Sequence, residues 1–439
     1  MLLSEQRRPA GRTDSSIAAR RPRVQRRARA AAVRNPVLLA DIIVYHMGEF
    51  TVKLSTMYTR SLVPPDRSFF CLGPRGTGKT TWLRQRFPSA AWYDLLRTST
   101  LLGLMRNPDR FRMEVAALPR RSWIVVDEVQ KLPALLDEVH ALLFEFGDKY
   151  RFALSGSSAR KLRRTSSNLL AGRVVRRQFF PLSIAELGKD FECARALAFG
   201  LLPYVWSHPR RAVATIEAYA LTYLREEIQQ EALVGNLDSF ARFLEVAGLV
   251  HGQVLNYSNV ARDAGVARVT VQRYFDVLAD TLIGVRLPAW QARARIKEVA
   301  HPKFYFFDPG VVRALQGRLR DPVESHERGP LLETLVLHEL RSWMSGADTS
   351  GALCYWAVPS GGEVDFIWRR GARAIGFEVK AASSWRREHS AVLRALVAEK
   401  KLQAGYGIYT GDAVLADGGI AVLPVRVFAE RLRSGKIFR

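Results

Sequence analysis

Cysteine is scarce: Cys71, Cys193 and Cys354 are the only three in 439 residues, and they lie far apart. That argues against a disulfide framework and a cysteine-based zinc site, and it fits a reducing, cytoplasmic setting. No stretch of about 18 apolar residues occurs, so no membrane-spanning helix and no membrane partner are expected. The first residues lack the apolar core of a secretory signal. Acidic residues are outnumbered, 42 Asp plus Glu against 66 Lys plus Arg, a net charge of +24. Apolar residues, in contrast, make up 48% and aromatics 10%, which excludes a wholly disordered chain. At about 100–200 residues per domain, the length implies two to four domains.

The positive excess favours an anionic partner, nucleic acid and DNA in particular. Residues 1–34 hold ten arginines against Glu5 and Asp14, a local +8 that leaves +16 for the rest. A G- and C-rich genome also enriches arginine, so a reading with a protein client stays open. The segment Arg20–Arg34 has no apolar period and is expected to be disordered. Residues 1–56 are then either a nucleic-acid-binding arm or the product of an upstream start, with translation beginning at Met57.

From Ser68 the pattern is α/β. A short apolar strand, Ser68–Leu72, runs into Gly73-Pro74-Arg75-Gly76-Thr77-Gly78-Lys79-Thr80-Thr81 and then a helical stretch to Phe87. The spacing Gly-x4-Gly-Lys-Thr is that of a phosphate-binding loop. Its glycines let backbone N–H groups turn toward phosphate oxygens, Lys79 neutralises phosphate charge, Thr80 offers a hydroxyl to magnesium, and the following helix directs its positive end at the same anion. Trp123–Val126 is a second buried strand ending in Asp127-Glu128. Asp127 is expected to hold magnesium and Glu128 to polarise the attacking water.

Arg151–Leu154 is a third strand, ending at Ser155-Gly156-Ser157-Ser158. Ser155 is placed either to sense the γ-phosphate or as an inert strand-end residue. Beyond it Arg160, Lys161, Arg163, Arg164, Arg173, Arg176 and Arg177 form a basic run with no acid between Ser158 and Gln178. In a homo-oligomer one of them would reach a neighbour's nucleotide as an arginine finger, Arg173 first and Arg160 second. The bland alternative is a solvated loop or a patch for nucleic-acid phosphates.

Residues 184–249 read as helical. In Tyr257–Phe275, Val260 and Ala261 face inward, Gly265 permits a tight turn, and Val266, Val271, Tyr274 and Leu278 pack a second helix. Arg268, Thr270, Gln272 and Arg273 stay free for solvent or a groove. Leu282–Leu287 and Phe304–Phe307 are expected to pair as a wing, which gives a winged helix that either grips DNA or serves as a rigid adaptor. Arg286, Arg293, Arg295 and Lys297 add positive charge there, with no acid among them.

After a polar linker, Arg318–Gly329, the last unit starts with a helix over Pro330–Met344. The stretch Glu363–Lys380 reads as a hairpin turning at Gly371-Ala372, glycine first as a type II′ turn requires. Arg370 then opposes Arg373, and counting back sets Asp365 opposite Glu378, about 5 Å apart between Cβ atoms. Period two puts Lys380 on the face of Glu378. Two facing acids repel unless a cation lies between them, and magnesium favours such oxygen ligands, with Lys380 beside it to stabilise a phosphate or position water. Glu333 lies on an apolar helical stripe with Leu337 and Leu340 and wants a cation partner. Glu339 has similar surroundings, so the choice between them is open. The alternative is a surface hairpin whose acids pair with Arg369, Arg373 or Lys380.

Together these residues resemble the prokaryotic AAA-type ATPases that carry a C-terminal domain of unknown function, number 4143. The resemblance runs from about Met57 to the end and rests on Gly73–Thr81, Val126–Pro133, Ser155–Ser158, Pro181-Leu182-Ser183 before Glu186, Tyr223–Ile228, Tyr305–Gly310 and Leu332-Glu333. It implies ATP and magnesium bound by Lys79, Thr80 and Asp127, with Glu128 as catalytic base. The last unit resembles the PD-(D/E)xK nuclease fold, with Glu333, Asp365, Glu378 and Lys380 at its acidic and lysine positions and Asp365 and Glu378 as metal ligands. Val364 stands where the motif's proline would be. The expected architecture is an extension over 1–56, an AAA-type parallel-sheet core over 57–186, a helical lid over 187–250, a winged helix over 251–325 and a nuclease-like α/β domain over 326–439. The expected function is an ATPase that acts on DNA with a metal-dependent nuclease-like domain. The alternative is a nucleotide-dependent switch or scaffold whose last domain binds nucleic acid or protein without cutting.

Overall fold

Strand β1 (Phe69–Leu72) is buried along its whole length, and its alternate side chains enter two different cores. Phe69 and Cys71 pack with Trp82, Leu83 and Phe179, while Phe70 and Leu72 pack with Phe111, Leu136 and Val139. A strand covered on both faces is what a parallel sheet between helical layers requires. In the computed structural model the described residues are 58–158, 170, 172–223, 237–290, 301–347, 349–359 and 361–438. The chain divides between Leu54 and Ser55, and the unit Ser55–Arg439 is the one described below. The expected extension over 1–56, most of the basic run (Arg160, Lys161, Arg163 and Arg164) and Arg293, Arg295 and Lys297 lie outside the described residues.

Five parallel strands make the first sheet, in the order β2 (Ala91–Asp94), β3 (Ser122–Asp127), β4 (Tyr150–Gly156), β1 and β5 (Val175–Gln178). The order is not sequential, so the carboxyl ends of β1, β3 and β4 meet at one edge where ligands of open α/β sheets bind. Helices Lys79–Arg86, Thr98–Arg106, Asp109–Ala116 and Leu135–Phe146 flank the sheet. Strands β2 and β5 carry too few apolar residues in alternation to stand out in the sequence.

A helical region follows, from Ile184–Leu187 through Leu237–Leu249. Helices Tyr257–Ala264 and Arg268–Asp280 are joined through Gly265 at φ +65°, a conformation that favours glycine. Asn256 caps the first, its side-chain oxygen accepting the N–H groups of Ser258 and Asn259. Val260, Ala261, Val271, Tyr274 and Leu278 are buried as their spacing requires, and so are Phe275 and Val277. Strands β6 (Gly284–Leu287) and β7 (Lys303–Phe306) then pair antiparallel as a ribbon.

The last unit has a six-stranded mixed sheet, ordered β12 (Leu415–Asp417), β13 (Ile420–Pro424), β11 (Ala404–Tyr409), β10 (Arg373–Lys380), β9 (Glu363–Arg370) and β8 (Ala352–Ala357). Helix Ser325–Gly346 packs on it through Leu332, Leu335 and Leu340, and helix Ala391–Ala398 packs through Leu393 and Leu396 in a separate core with Val364 and Ala374. The polar stretch expected as a linker is partly helix: the first helix starts at Ser325 and runs through Pro330. Its start carries a capping box, in which Glu327 accepts the Glu324 N–H at 2.9 Å, and Glu327 also pairs with the buried Arg313 at 3.4 Å. Among the described residues, no helix is long and apolar enough to cross a membrane.

Candidate functional site: a phosphate loop and a buried carboxylate cluster

The loop after β1 is held so tightly that its first residue must be glycine. A Cβ on Gly73 would lie 2.0 Å from the Phe179 carbonyl oxygen. Gly76 and Gly78 sit at φ +72° and +91°, and the helix starting at Lys79 follows directly. The Thr77 hydroxyl donates to the Pro74 carbonyl at 2.8 Å, and Lys79 Nζ donates to the Gly73 and Pro74 carbonyls at 2.7 and 3.0 Å. Thr80 Oγ1 donates to Asp127 Oδ2 at 2.8 Å, which joins the loop to the tip of β3.

Glu128 follows Asp127 at φ +60°, a strained left-handed conformation for a residue with a side chain. Ser155, at the end of β4, links the two acids: its hydroxyl donates to Asp127 Oδ1 and accepts the Glu128 N–H at 3.1 Å. Gln130 Nε2 donates to Glu128 Oε2 and to Ser157 Oγ, the latter at 2.9 Å. A cavity of about 500 Å³ opens over the loop, lined by Arg75, Lys79, Thr80 and Glu128 on one side and by Tyr204 and His208 on the other. The last two rings are stacked 4.1 Å apart. Ser155 is fully buried and does not line this cavity; it holds Asp127 and Glu128 from behind. Arg173 does not line it either, and lies with its guanidinium 5.4 Å over Phe144 and 3.3 Å from His140 Nε2.

Arg60 belongs to this site and no motif marks it. It pairs with Glu186 at 3.1 Å, donates to the Thr77 carbonyl at 2.6 Å and to Phe180 O, and lies 4.3 Å over the Phe179 ring. It ties the loop to the segment that closes Gly73. The glycine cradle, the buried ammonium and the paired oxygens of Thr80 and Asp127 fit a nucleotide phosphate chain with magnesium.

In the last unit β9 and β10 pair in register from Arg370–Arg373 to Phe366–Phe377, and the ladder ends one residue short of Asp365 and Glu378, where β9 also shifts register against β8. Gly371 takes φ +60° and Ala372 has no positive φ, in keeping with the expected turn. Asp365 Oδ2 accepts the Val379 N–H at 2.8 Å, and Lys380 pairs with Glu378 Oε1 at 2.6 Å. Glu378 Oε2 is buried with no hydrogen-bond partner. The Tyr305 hydroxyl donates to Glu333 Oε2 at 2.6 Å, and Lys303 pairs with Glu363.

Burial is the main cause of the unusual acidities here. It pushes the Glu333 carboxyl up to about 8, with the Asp365 charge adding to it. It raises Asp365 against the pull of Lys380 and Lys303, and it lifts Glu378 well above the carboxylate range with Asp365 adding again. Thus Glu333, Asp365, Glu378 and Lys380 are electrostatic neighbours. Glu339 lies elsewhere: it accepts the Ile184 N–H at 2.8 Å, and burial pushes it to about 8. Arg369 lies over Trp290 and Arg373 donates to the Phe438 carbonyl, so the hairpin acids have Lys380 as their neighbour. The oxygen donors and the unsatisfied Glu378 oxygen suit a hard divalent cation. Among the described residues, however, no group of three or more His, Cys, Asp or Glu side chains converges as a metal-binding set. Sequence reasoning missed Lys303, Tyr305 and Glu363. The signals were the two-residue step from Glu363 to Asp365 on one strand and the place of Tyr305 at the head of the Tyr305–Gly310 motif.

A parallel sheet with a glycine loop at the end of its central strand, and an acid at the tip of a neighbouring one, defines a P-loop nucleotide-binding module. Residues 66–188 match the AAA domain family, 191–321 a domain of unknown function, DUF8612, and 328–428 a domain of unknown function, DUF4143. The chain is therefore an AAA-type protein with a C-terminal DUF4143 unit. It is similar to an uncharacterized protein of Mycobacterium bovis and to one of Mycobacterium tuberculosis, each 27% identical over 318 residues, 71% of this chain and 70% of the relative.

Proposed function

We propose that the protein hydrolyses ATP at the loop and acts on DNA, cutting phosphodiester bonds at a magnesium-dependent site on Asp365 and Glu378. The observation that carries the second half is the closeness of these two buried acids, Asp365 accepting the N–H of Val379 beside Glu378, with one Glu378 oxygen lacking any hydrogen-bond partner. At the loop, Lys79 and the glycine N–H groups bind the β- and γ-phosphates, Thr80 and Asp127 supply oxygens to magnesium, and Glu128 accepts the proton of the attacking water. Stacked Tyr204 and His208 offer a face for the base. In the last unit magnesium would supply charge stabilisation and an activated water. Lys380 is placed to neutralise charge on the cleaved phosphate. The helix pair Tyr257–Ala264 and Arg268–Asp280 with its β6–β7 ribbon reads as a winged helix, whose exposed Arg268 and Arg273 face nucleic acid.

The test is incubation of the purified protein with supercoiled plasmid and magnesium or manganese, with and without ATP. Cleavage that Asp365→Ala abolishes supports the reading; cleavage unchanged in that variant sinks it. A second reading, a nucleotide-dependent scaffold whose last unit binds without cutting, is favoured by Lys303, which already supplies a cation to Glu363, two residues from Asp365. It predicts ATP turnover and salt-sensitive DNA binding without cleavage.

A further inference from the structure

Strand β7 precedes the last unit in sequence and belongs to the ribbon of the middle region, yet two of its side chains end among the carboxylates of the last unit. Lys303 and Tyr305 stand two residues apart and so share a face. The Lys303 side chain is only 5% exposed and its ammonium pairs with Glu363, whose side chain is 41% exposed. Glu333 and Asp365 also act on that ammonium, and together with Glu363 they hold it protonated against burial. The Tyr355 ring lies 5.4 Å beneath it. Tyr305 donates to Glu333 from the same strand.

The ribbon is fixed in this position. Tyr355 donates its N–H to Pro288 O and accepts that of Trp290 on its own carbonyl, at 3.0 and 2.6 Å. His251, behind β7, bonds Thr334 of helix Ser325–Gly346 at 2.6 Å and accepts the Phe306 N–H at 3.1 Å. Lys303 is thus a buried cation held by the fold, in the middle of acids that would otherwise repel one another. A buried ammonium without acids, or buried acids without a cation, would each be costly.

We propose that Lys303 is a tethered counter-ion that competes with a divalent cation for the carboxylates of the last unit, so that the middle region sets the metal affinity of a site it does not contain in sequence. This rests on the reading of Asp365 and Glu378 as metal ligands. The ammonium holds Glu363, Glu333 and Asp365 together without metal, and a divalent ion entering near Asp365 must displace or repel it.

The experiment measures free manganese by electron paramagnetic resonance during titration of the full-length protein without nucleotide. It takes as signal the binding that Asp365→Ala removes. Lys303→Met is expected to lower the dissociation constant for this component about tenfold or more, while Lys303→Arg, which keeps the charge, stays at the wild-type value. If Lys303→Met equals wild type while Asp365→Ala abolishes binding in both, the counter-ion role is wrong and the metal reading stands. If no Asp365-dependent binding occurs in either protein, the metal reading itself fails and takes the proposal with it. Should Lys303→Met not fold, the ammonium resonance of Lys303 in the wild-type protein, assigned through Lys303→Arg, replaces it. A shift on adding magnesium supports the competition, and an unchanged resonance at saturating magnesium overturns it.

Discussion

Thr80 donates its hydroxyl to Asp127 across 47 residues, at 2.8 Å, and so joins the phosphate loop to the tip of a strand two positions away in the sheet. In the proposed function these two oxygens are supplied together to magnesium. Asp127→Asn is therefore expected to leave folding intact and weaken nucleotide binding at least tenfold when magnesium is present, with little change when it is chelated. Calorimetry with and without the metal checks this.

Gln130 and Ser157 hold the Glu128 carboxylate, to which the proposed function gives the proton of the attacking water. Glu128→Gln should lower steady-state ATP turnover by roughly a hundredfold or more while nucleotide binding persists. Turnover within a factor of three of wild type would remove Glu128 from the reaction.

Arg60 and Glu186 form a buried ion pair, 8% and 5% exposed. Arg60→Ala strands Glu186 and releases the Thr77 and Phe180 carbonyls. Removing one partner of a buried pair costs about 3–5 kcal/mol. The variant should unfold at lower denaturant concentration, and ATP should restore less of its stability than in the wild type, as thermal melts with added ATP would show.

Two adjacent buried residues predict opposite pH slopes. Burial lowers His338 to about 3 from the ordinary 6.5 of a histidine, so between these values the unfolded chain binds more protons and stability falls as pH falls. Glu339 is raised to about 8 from 4.5, so in that window the folded chain binds more protons and stability falls as pH rises. Each slope is at most about 1.4 kcal/mol per pH unit. Glu339→Gln keeps an oxygen for the Ile184 N–H and should flatten the alkaline side of the stability profile, measured by denaturant unfolding from pH 5 to 9.

The phosphate loop, Asp127 and the hairpin register were legible because each depends on neighbours in sequence. A glycine spacing dictates backbone shape, and a two-residue turn fixes every pair that follows it. The helix start at Ser325 was missed, because its capping box uses Glu324 in place of the usual Ser, Thr, Asp or Asn and the helix runs through Pro330. Arg60, Lys303 and Tyr305 were hidden because their partners are distant in sequence. Arg60 reaches its partner across 126 residues, and Lys303 meets Glu363 across 60. No periodicity encodes such encounters. The choice between Glu333 and Glu339 was equally blind, because both share a helix and only its surroundings distinguish them.

Tyr305 and Lys303 also bear on how the protein is taken apart. A fragment cut at residue 326 would keep Glu333 and Glu363 but lose the phenol that bonds the first and the ammonium that pairs with the second. Such a piece should express as aggregate, or recover only at acidic pH where its carboxyls take up protons. What sequence matching separates into two modules is, by its charge balance, a single object.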